Sequence, residues 1–493
     1  MIQQSADIET IGIEERVVAR EEQRRIVATI LLHPEIRRIG DISVLAKLGS
    51  KTVVPISRLE PTFKKLDEGV HEPLETPFIS RRPIEILCTR NGIEIQNKNS
   101  VQISVMGLPF SEGKSTFSID ELNSGVVLRI GNAVVLLIHM IDLAVRVQAD
   151  LLGMIGHNRE MHRLRAELLK VADLDKRVLI RGESGTGKEL VAEAIWNHSS
   201  RSDKVFEKVN VTEIPSTIAE RELFGAARHA GTGEPGHHGY FLRADKGTLF
   251  LDEIGDVDPA IQPKLLRAVE TGEIQILGSN KKTSVDVRIL AGTDVDLEAA
   301  VEDGSFKSSL LQRLSTYTLH IPPLRNRRDD IGRLFFHFLI KELQKLGEAH
   351  KLNQAYSKTA PWFPAELMEK LALFRWPGNV RQLKNVAERI AILNRGCSEF
   401  QRDARIENML VDDVVKNAAT LRLEKTHEDK TAPHLENLTD QDIIAALELN
   451  GFNISKTVQD LNVGRAKFYR LLKQRGIDIE YLREAWNVRR TLT

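Results

Sequence analysis

Residues 182–189 read Gly-Glu-Ser-Gly-Thr-Gly-Lys-Glu, and they constrain this chain more than any other stretch. The run before them, Arg177-Val-Leu-Ile-Arg181, is short and apolar, as a buried parallel strand requires. The run after them, Leu190-Val-Ala-Glu-Ala-Ile195, repeats its apolar residues at helical spacing. A glycine-rich turn between a strand and a helix curls backbone N–H groups around an anion, and the helix N-terminus adds partial positive charge. Gly182, Gly185 and Gly187 permit that curl, and Glu183, Ser184 and Thr186 fill the places between them. Lys188 supplies a point charge for the outer phosphates of a nucleotide. A glycine-rich stretch alone is most often only a turn, but the strand and helix around this one point to a phosphate cradle. Ser or Thr commonly follows the lysine and ligates Mg²⁺; here Glu189 stands in that place.

A second motif, Gly247-Thr-Leu-Phe-Leu-Asp-Glu253, reads as an apolar strand that carries two acids to its C-terminal end. In a parallel sheet that end lies beside the phosphate loop. Asp252 is placed to hold Mg²⁺ and Glu253 to orient and deprotonate a water. Paired acids at a strand end are often solvated caps. With a phosphate loop one domain's length away, they read instead as the catalytic half of an ATP and Mg²⁺ site.

The octapeptide at 182–189 resembles the version found in bacterial enhancer-binding proteins, the NtrC-like AAA+ ATPases that are sigma-54-dependent transcriptional regulators. The resemblance implies an α/β ATPase core with a helical lid, a ring of up to six subunits, and roles for further residues. Asn210, ending Val205-Phe-Glu-Lys-Val-Asn210, matches the asparagine that holds the catalytic glutamate. Val285-Asp-Val-Arg-Ile-Leu-Ala-Gly-Thr-Asp294 resembles the γ-phosphate sensor strand, with Thr293 and with Asp294 where the family has asparagine. Phe306 to Leu314 resembles the segment whose two arginines reach a neighbour's ATP; this chain has Arg313 and, at the other place, Lys307. Trp376-Pro-Gly-Asn-Val-Arg-Gln-Leu383 matches the second sensor, with Arg381 toward the phosphates and Asn379 expected to cap its helix. Ile155-Gly156 resembles the start of the domain.

One stretch departs from the family. A surface loop reading Gly-Ala-Phe-Thr-Gly-Ala normally grips sigma-54; residues 226–239 here run Ala-Ala-Arg-His-Ala-Gly-Thr-Gly-Glu-Pro-Gly-His-His-Gly. The aromatic tip is absent, and without an apolar anchor the grip on a partner is weakened. His229, His237 and His238 lack regular ligand spacing and read as solvated side chains rather than a metal site.

The flanks complete the plan. At 493 residues the chain is long enough for two to four domains, and Lys plus Arg equals Asp plus Glu at 69 each, so any basic surface is local. Cys88 and Cys397 are the only cysteines, which excludes a disulfide framework and a multi-cysteine zinc site. The charged N-terminus is not a signal peptide, and Ala133–Val145 is too short to span a bilayer. A cytoplasmic protein with no membrane partner is expected.

Residues 1–27 read as a polar, helical arm. Between 28 and 145 come short alternating runs, among them Ile84–Leu87, Gly92–Ile95, Val101–Val105, Val126–Ile130 and a central strand at Val134–Ile138, which read as a β-sandwich. Its loops resemble those of a forkhead-associated (FHA) domain. On that resemblance Arg58, Ser80, Arg81 and Asn99 would hold a phosphothreonine protein such as a Ser/Thr kinase. A sandwich with exposed arginines and no such ligand fits the pattern as well.

The ATPase subdomain is expected at 146–330, starting with a helical connector from about Asp142 to Lys170. Its helical lid follows at 331–396 and a linker at 397–437. Residues 438–493 resemble a Fis-type helix-turn-helix, all-α and dimerising on paired DNA sites. Its second helix carries Arg465, Lys467, Tyr469 and Arg470 toward DNA. Two functions stay open on these residues. One is an ATP-driven activator that remodels RNA polymerase with sigma-54. The other is an ATP-binding DNA regulator or repressor that has lost that remodelling through its altered loop.

Overall fold

The computed structural model describes residues 24–65, 71–142, 152–227, 236–280, 282–352 and 361–410, together with Leu447 and Thr457. Residues 1–414 form one compact unit and 415–493 another. In the second, Leu447 and Thr457 are both helical and buried; the DNA-contact candidates Arg465, Lys467, Tyr469 and Arg470 lie outside the described residues. No helix among the described residues is long and apolar enough to cross a membrane.

The first unit begins with the sandwich. Its four-stranded sheet runs Gly113–Ser118, Gly92–Asn97, Ile84–Cys88, Val53–Ile56. Its eight-stranded sheet is centred on Arg24–Leu32 and Val134–Asp142, antiparallel with Ala28 opposite Ile138, flanked by Ile42–Lys47 and Val126–Ile130. Arg24 to Ile26, at the end of the stretch expected to be a helical arm, therefore already belong to a sandwich strand. Side chains alternate across a strand. Ile26, Ala28, Ile30, Leu128 and Leu136 accordingly meet Ile84, Ile86, Ile93 and Ile95 of the other sheet.

The alternate set points the other way and is also buried. Leu31, Val127, Val135 and Leu137 share one apolar core with Leu334, Phe335, Leu339, Met368 and Leu371 of the lid. A sheet buried on both faces needs near-continuous apolar strands. That requirement explains the unbroken run Val134-Val-Leu-Leu-Ile138. The lid is built from the helices Ile331–Lys345, Ala365–Leu373 and Asn379–Leu393. It extends past its expected end: residues 404–410 are helical, and Ile406 and Leu410 lie in the same core, so the start of the expected linker is lid.

Polar groups are matched across this contact. Glu369 of the lid, 3% exposed, accepts from Ser104 Oγ at 2.6 Å, from the Gly107 N–H at 3.1 Å and from Arg129 Nε at 2.7 Å. Arg333 donates to the Gly40 carbonyl at 3.0 Å, and at Gly332 the lid backbone passes so close that a Cβ would meet the Leu31 carbonyl at 2.5 Å.

Between sandwich and lid in sequence comes the α/β subdomain. Strand Val134–Asp142 ends the sandwich, and a helix at Arg159–Ala172 precedes the phosphate loop; residues 143–151 of the connector expected from about Asp142 lie outside the described residues. Asn158 caps that helix by accepting from the Glu160 N–H at 2.9 Å.

Removing one partner of a buried ion pair leaves a charge without compensation, at a cost of about 3–5 kcal/mol. Glu369→Ala is expected to destabilise the first unit by that order in thermal or denaturant unfolding of the full chain. Glu369→Gln, which can still accept from Ser104 and Gly107, should cost less. Equal melting of Glu369→Ala and wild type would contradict a cemented contact.

Candidate nucleotide site

A five-stranded sheet orders Phe206–Asn210, Thr248–Asp252, Arg288–Thr293, Val178–Arg181 and Tyr317–His320, and every pairing is parallel. Loop 182–189 leaves the C-terminal end of Val178–Arg181 and enters the helix Lys188–Asn197. Gly185 and Gly187 hold φ of 77° and 108°, a region side chains rarely adopt. Thr186 Oγ1 donates to the Glu183 carbonyl at 2.7 Å and closes the loop. Lys188 is 6% exposed, with Nζ 3.1 Å from Glu253 Oε1 and 3.3 Å from the Gly182 carbonyl.

The strand Thr248–Asp252 brings the two acids alongside. Asp252 Oδ1 accepts from the Glu253 N–H at 3.0 Å, and Glu253 sits at φ 53°, a left-handed conformation that costs a non-glycine residue about 1–3 kcal/mol. Burial pushes the Asp252 carboxyl above its ordinary range, and Lys188 pulls it partly back. Burial also raises Glu253, opposed by Lys188 and aided by Asp252 and Asp294. Glu253 Oε2 is buried without a hydrogen-bond partner. Carboxylate oxygens of Glu253, Asp256 and Asp294 lie within 4.8 Å of one another.

Lys188, Asp252 and Glu253 line a cavity of about 610 Å³, shared between the subdomain and the lid. Its apolar lining includes Ile155, Met161, Leu334 and Phe338, and its charged lining includes Lys188, Asp252, Glu253 and Arg381. The volume suits a nucleotide. Half-buried acids with raised pKa values beside an orphaned carboxylate oxygen suit a divalent cation, which would favour their charged forms.

The structure brings most of the sequence candidates together and sets others apart. Arg381, from the lid, donates through Nη1 to Ser184 Oγ at 3.0 Å. Thr293 lies opposite Arg181, its carbonyl accepting from the Gly182 N–H at 3.1 Å and its Oγ1 from the Val295 N–H. Glu189 turns to Lys208, 2.8 Å from its Nζ. Glu183 faces the hinge before the lid, where Arg325 grips its carboxylate at 2.5 and 2.7 Å and holds it below the usual glutamate range.

Two expectations are corrected. Asn379 does not cap its helix; Gly378 occupies the cap position, and the Asn379 side chain is buried against the phosphate loop. Asn210 lies opposite Asp252 but does not hold Glu253. Its Oδ1 accepts from Thr212, and its Nδ2 donates to Glu213 at 3.3 Å, because the chain turns into a short 3-10 helix there.

Lys307 and Arg313 are exposed, at the start and in the last turn of the helix Ser308–Leu314. Arg313 Nε is 2.7 Å from Glu270 Oε1. Of the altered loop, His229 and 228–235 generally lie outside the described residues. Its stem is closed by an Ala226–His237 bridge, and His237 Nε2 is 3.1 Å from Glu222 Oε2. In the sandwich the Arg58 N–H donates to the Ser80 carbonyl at 3.1 Å and Asn99 Nδ2 to the Pro83 carbonyl at 2.8 Å, so the three candidate loops adjoin. Ser80 Oγ accepts from the Arg82 N–H, Arg58 Nη2 donates to the Pro77 carbonyl at 2.6 Å, and Arg81 is exposed.

Sequence reasoning missed the hinge arginines. Besides Arg325, Arg327 is 2% exposed on the cavity wall, with Nη1 3.0 Å from Met161 Sδ and Nη2 3.4 Å from the Thr186 carbonyl. Beside it Asp330 Oδ1 accepts from the N–H groups of His157 and Asn158, and burial pushes its pKa up to about 7. The signal was the basic run Arg325-Asn-Arg-Arg328 between the last strand and the lid.

Comparison with known proteins matches residues 154–320 to the Sigma-54 interaction domain and 325–403 to the AAA+ ATPase lid domain. The chain is 37% identical over 329 residues to the transcriptional regulatory protein ZraR of Escherichia coli O157:H7, covering 66% of this chain and 70% of that one. It is 38% identical over 327 residues to a signal-transduction and transcriptional-control protein of Clostridium beijerinckii, 66% of this chain but about half, 49%, of that protein's length. Among solved structures, NtrX of Brucella abortus in complex with ATP aligns at 31% identity over 68% of this chain and 71% of its own, with a TM-score of 0.46.

Two outcomes are expected from this geometry. Truncating one member of a buried, hydrogen-bonded charge pair costs about 2–5 kcal/mol, so Lys188→Ala should weaken ATP binding by about 30-fold or more in a fluorescence titration. Asp330 binds its proton more tightly when folded, so its contribution is greatest below the ordinary aspartate range and is lost as pH rises through about 7. Asp330→Asn should therefore flatten a decline of melting temperature that wild type shows between about pH 5 and about pH 8.

Proposed function

The chain belongs to the NtrC-like family of sigma-54-dependent AAA+ transcriptional regulators, and we propose from that premise that it hydrolyses Mg-ATP at loop 182–189 to act on RNA polymerase with sigma-54. The observation that carries the reading is the Lys188–Glu253 pair, set 3.1 Å apart in a cavity that the lid roofs with Arg381. Incoming phosphates take Lys188 for themselves, and the Glu253 carboxylate is released to accept a proton from the attacking water. Its raised pKa makes it a stronger base than an exposed glutamate. Mg²⁺ held by Asp252 would neutralise charge on the outer phosphate oxygens.

Arg381 steadies the phosphates from the lid, while Thr293 and Asp294 flank them from the sensor strand. Asp294 is an acid among acids, and a cation or a neighbour's positive side chain offsets it. The exposure of Arg313 and Lys307 fits a role across a subunit boundary, in a ring that assembles from dimers toward a hexamer. Lysine at 307 brings charge without the arginine fork, and slows turnover accordingly. Residues 438–493 would bind paired upstream DNA sites. The adjoining loops with Arg58, Ser80, Arg81 and Asn99 would take a phosphothreonine partner, such as a Ser/Thr kinase, as an FHA domain does.

A second reading rests on one observation, the loss of the aromatic tip from a loop whose stem persists between Ala226 and His237. In that reading nucleotide governs assembly on DNA, and sigma-54 is not remodelled. Trapping the full chain with ADP and aluminium fluoride in the presence of sigma-54 separates the two. A stable complex supports remodelling; hydrolysis without a complex supports the second reading.

Glu253→Gln is expected to keep ATP binding and lose hydrolysis. In wild type the acid limb of the pH–rate profile should lie above the ordinary glutamate range, since burial raises Glu253. Arg313→Ala should lower turnover by about 10³-fold or more, and mixing it with Lys188→Ala subunits should restore part of the activity. No recovery on mixing would place Arg313 outside the shared site.

A further inference from the structure

We propose that Asn379 and Glu183 are positioning residues that fix the lid's Arg381 in register with the phosphate loop. The inference rests on the reading that the cavity holds ATP. Three segments meet at these side chains: the hinge at Leu324-Arg325, the loop at Glu183-Ser-Gly185, and the lid turn at Gly378-Asn-Val-Arg381.

Asn379 is fully buried and held at φ 50°, a conformation asparagine tolerates better than most residues. Its amide bonds in every direction the site offers. Oδ1 accepts from the Leu324 N–H at 2.8 Å, and Nδ2 donates to Glu183 Oε2 and to the Ser184 carbonyl, each at 3.1 Å. Glu183 Oε2 also receives Arg325 Nη1, so one carboxylate joins hinge, loop and lid. The backbones are equally close. A Cβ on Gly185 would meet the Gly378 carbonyl at 2.5 Å, and the Arg381 N–H donates to the Gly185 carbonyl at 3.3 Å.

Asn379 stands two residues from Arg381 and opens the helix that carries it. A shift of the loop on phosphate binding therefore passes to Arg381 through bonds rather than through solvent. Glu183, though inside the phosphate motif, does not line the cavity and bonds instead to Arg325 and to Asn379 of the lid. No other side chain of similar size replaces the asparagine. Aspartate would lose both donors and set a second carboxylate against Glu183.

The test uses the full chain, with fluorescent ADP as the binding probe and ATP turnover as the readout. Asn379→Gly keeps the left-handed backbone and removes the amide; Glu183→Ala removes the carboxylate; Glu183→Gln keeps an acceptor. A misplacement of about 1 Å can cost about 100-fold in rate. Asn379→Gly and Glu183→Ala should lose about that much in kcat with ADP affinity within about three-fold of wild type, and Glu183→Gln should regain most of it. Melting temperatures confirm that the variants are folded at the assay temperature. Unchanged kcat in Asn379→Gly, or loss of binding in step with kcat, overturns the proposal and leaves the ATP reading standing. Wild-type protein that takes up no nucleotide overturns both.

Discussion

The apolar core that the lid shares with the sandwich is the constraint from which the rest of the first unit follows. Leu31, Val127, Val135 and Leu137 leave one face of the large sheet and close against Leu334, Phe335, Leu339 and Leu371. Without that cover the sheet would present its central strands to water. Without the sheet, the lid helices Ile331–Lys345 and Ala365–Leu373 would lose one wall of their core. Glu369, buried among Ser104, Gly107 and Arg129, sets the register of the contact, since a buried charge tolerates little displacement from its partners.

On the other side the lid meets chemistry instead of oil. Its turn at Gly378 lies on the phosphate loop at Gly185, where only glycine leaves room. Arg381 reaches Ser184, and Asn379 reaches Glu183. Thus the lid is bonded to the sandwich by packing and to the nucleotide loop by directed polar contacts. The first contact is broad and apolar, with its register fixed at Glu369. The second is narrow, and each bond in it has a geometry that small movements spoil.

Local sequence carries the site's scaffold well. A short apolar run, a glycine turn and a helix predict where Lys188 must be, and Thr248–Asp252 delivers Asp252 and Glu253 to the same end of a parallel sheet. What the sequence hides is the partner of each polar group. Nothing local says that Glu183 turns to Arg325, that Glu189 turns to Lys208, or that Asn210 spends its amide on Thr212 and Glu213. Asn379 looks like a helix cap because asparagine before a helix usually is one; the turn at Gly378 takes that duty and frees the amide. The sandwich is legible in its alternating strands, but its second buried face is not. Only the unbroken apolar run at 134–138 hints that both sides of that strand are covered.

The shared core has a thermodynamic corollary. Sandwich and lid share one buried core, so a molecule that shifted the lid would carry the loops at Arg58, Ser80 and Asn99 with it. Linkage between two such sites is reciprocal: if a ligand at those loops changes nucleotide affinity by some factor, nucleotide changes that ligand's affinity by the same factor. Under the proposed function, the sandwich would then read the cell's ATP as much as govern its use.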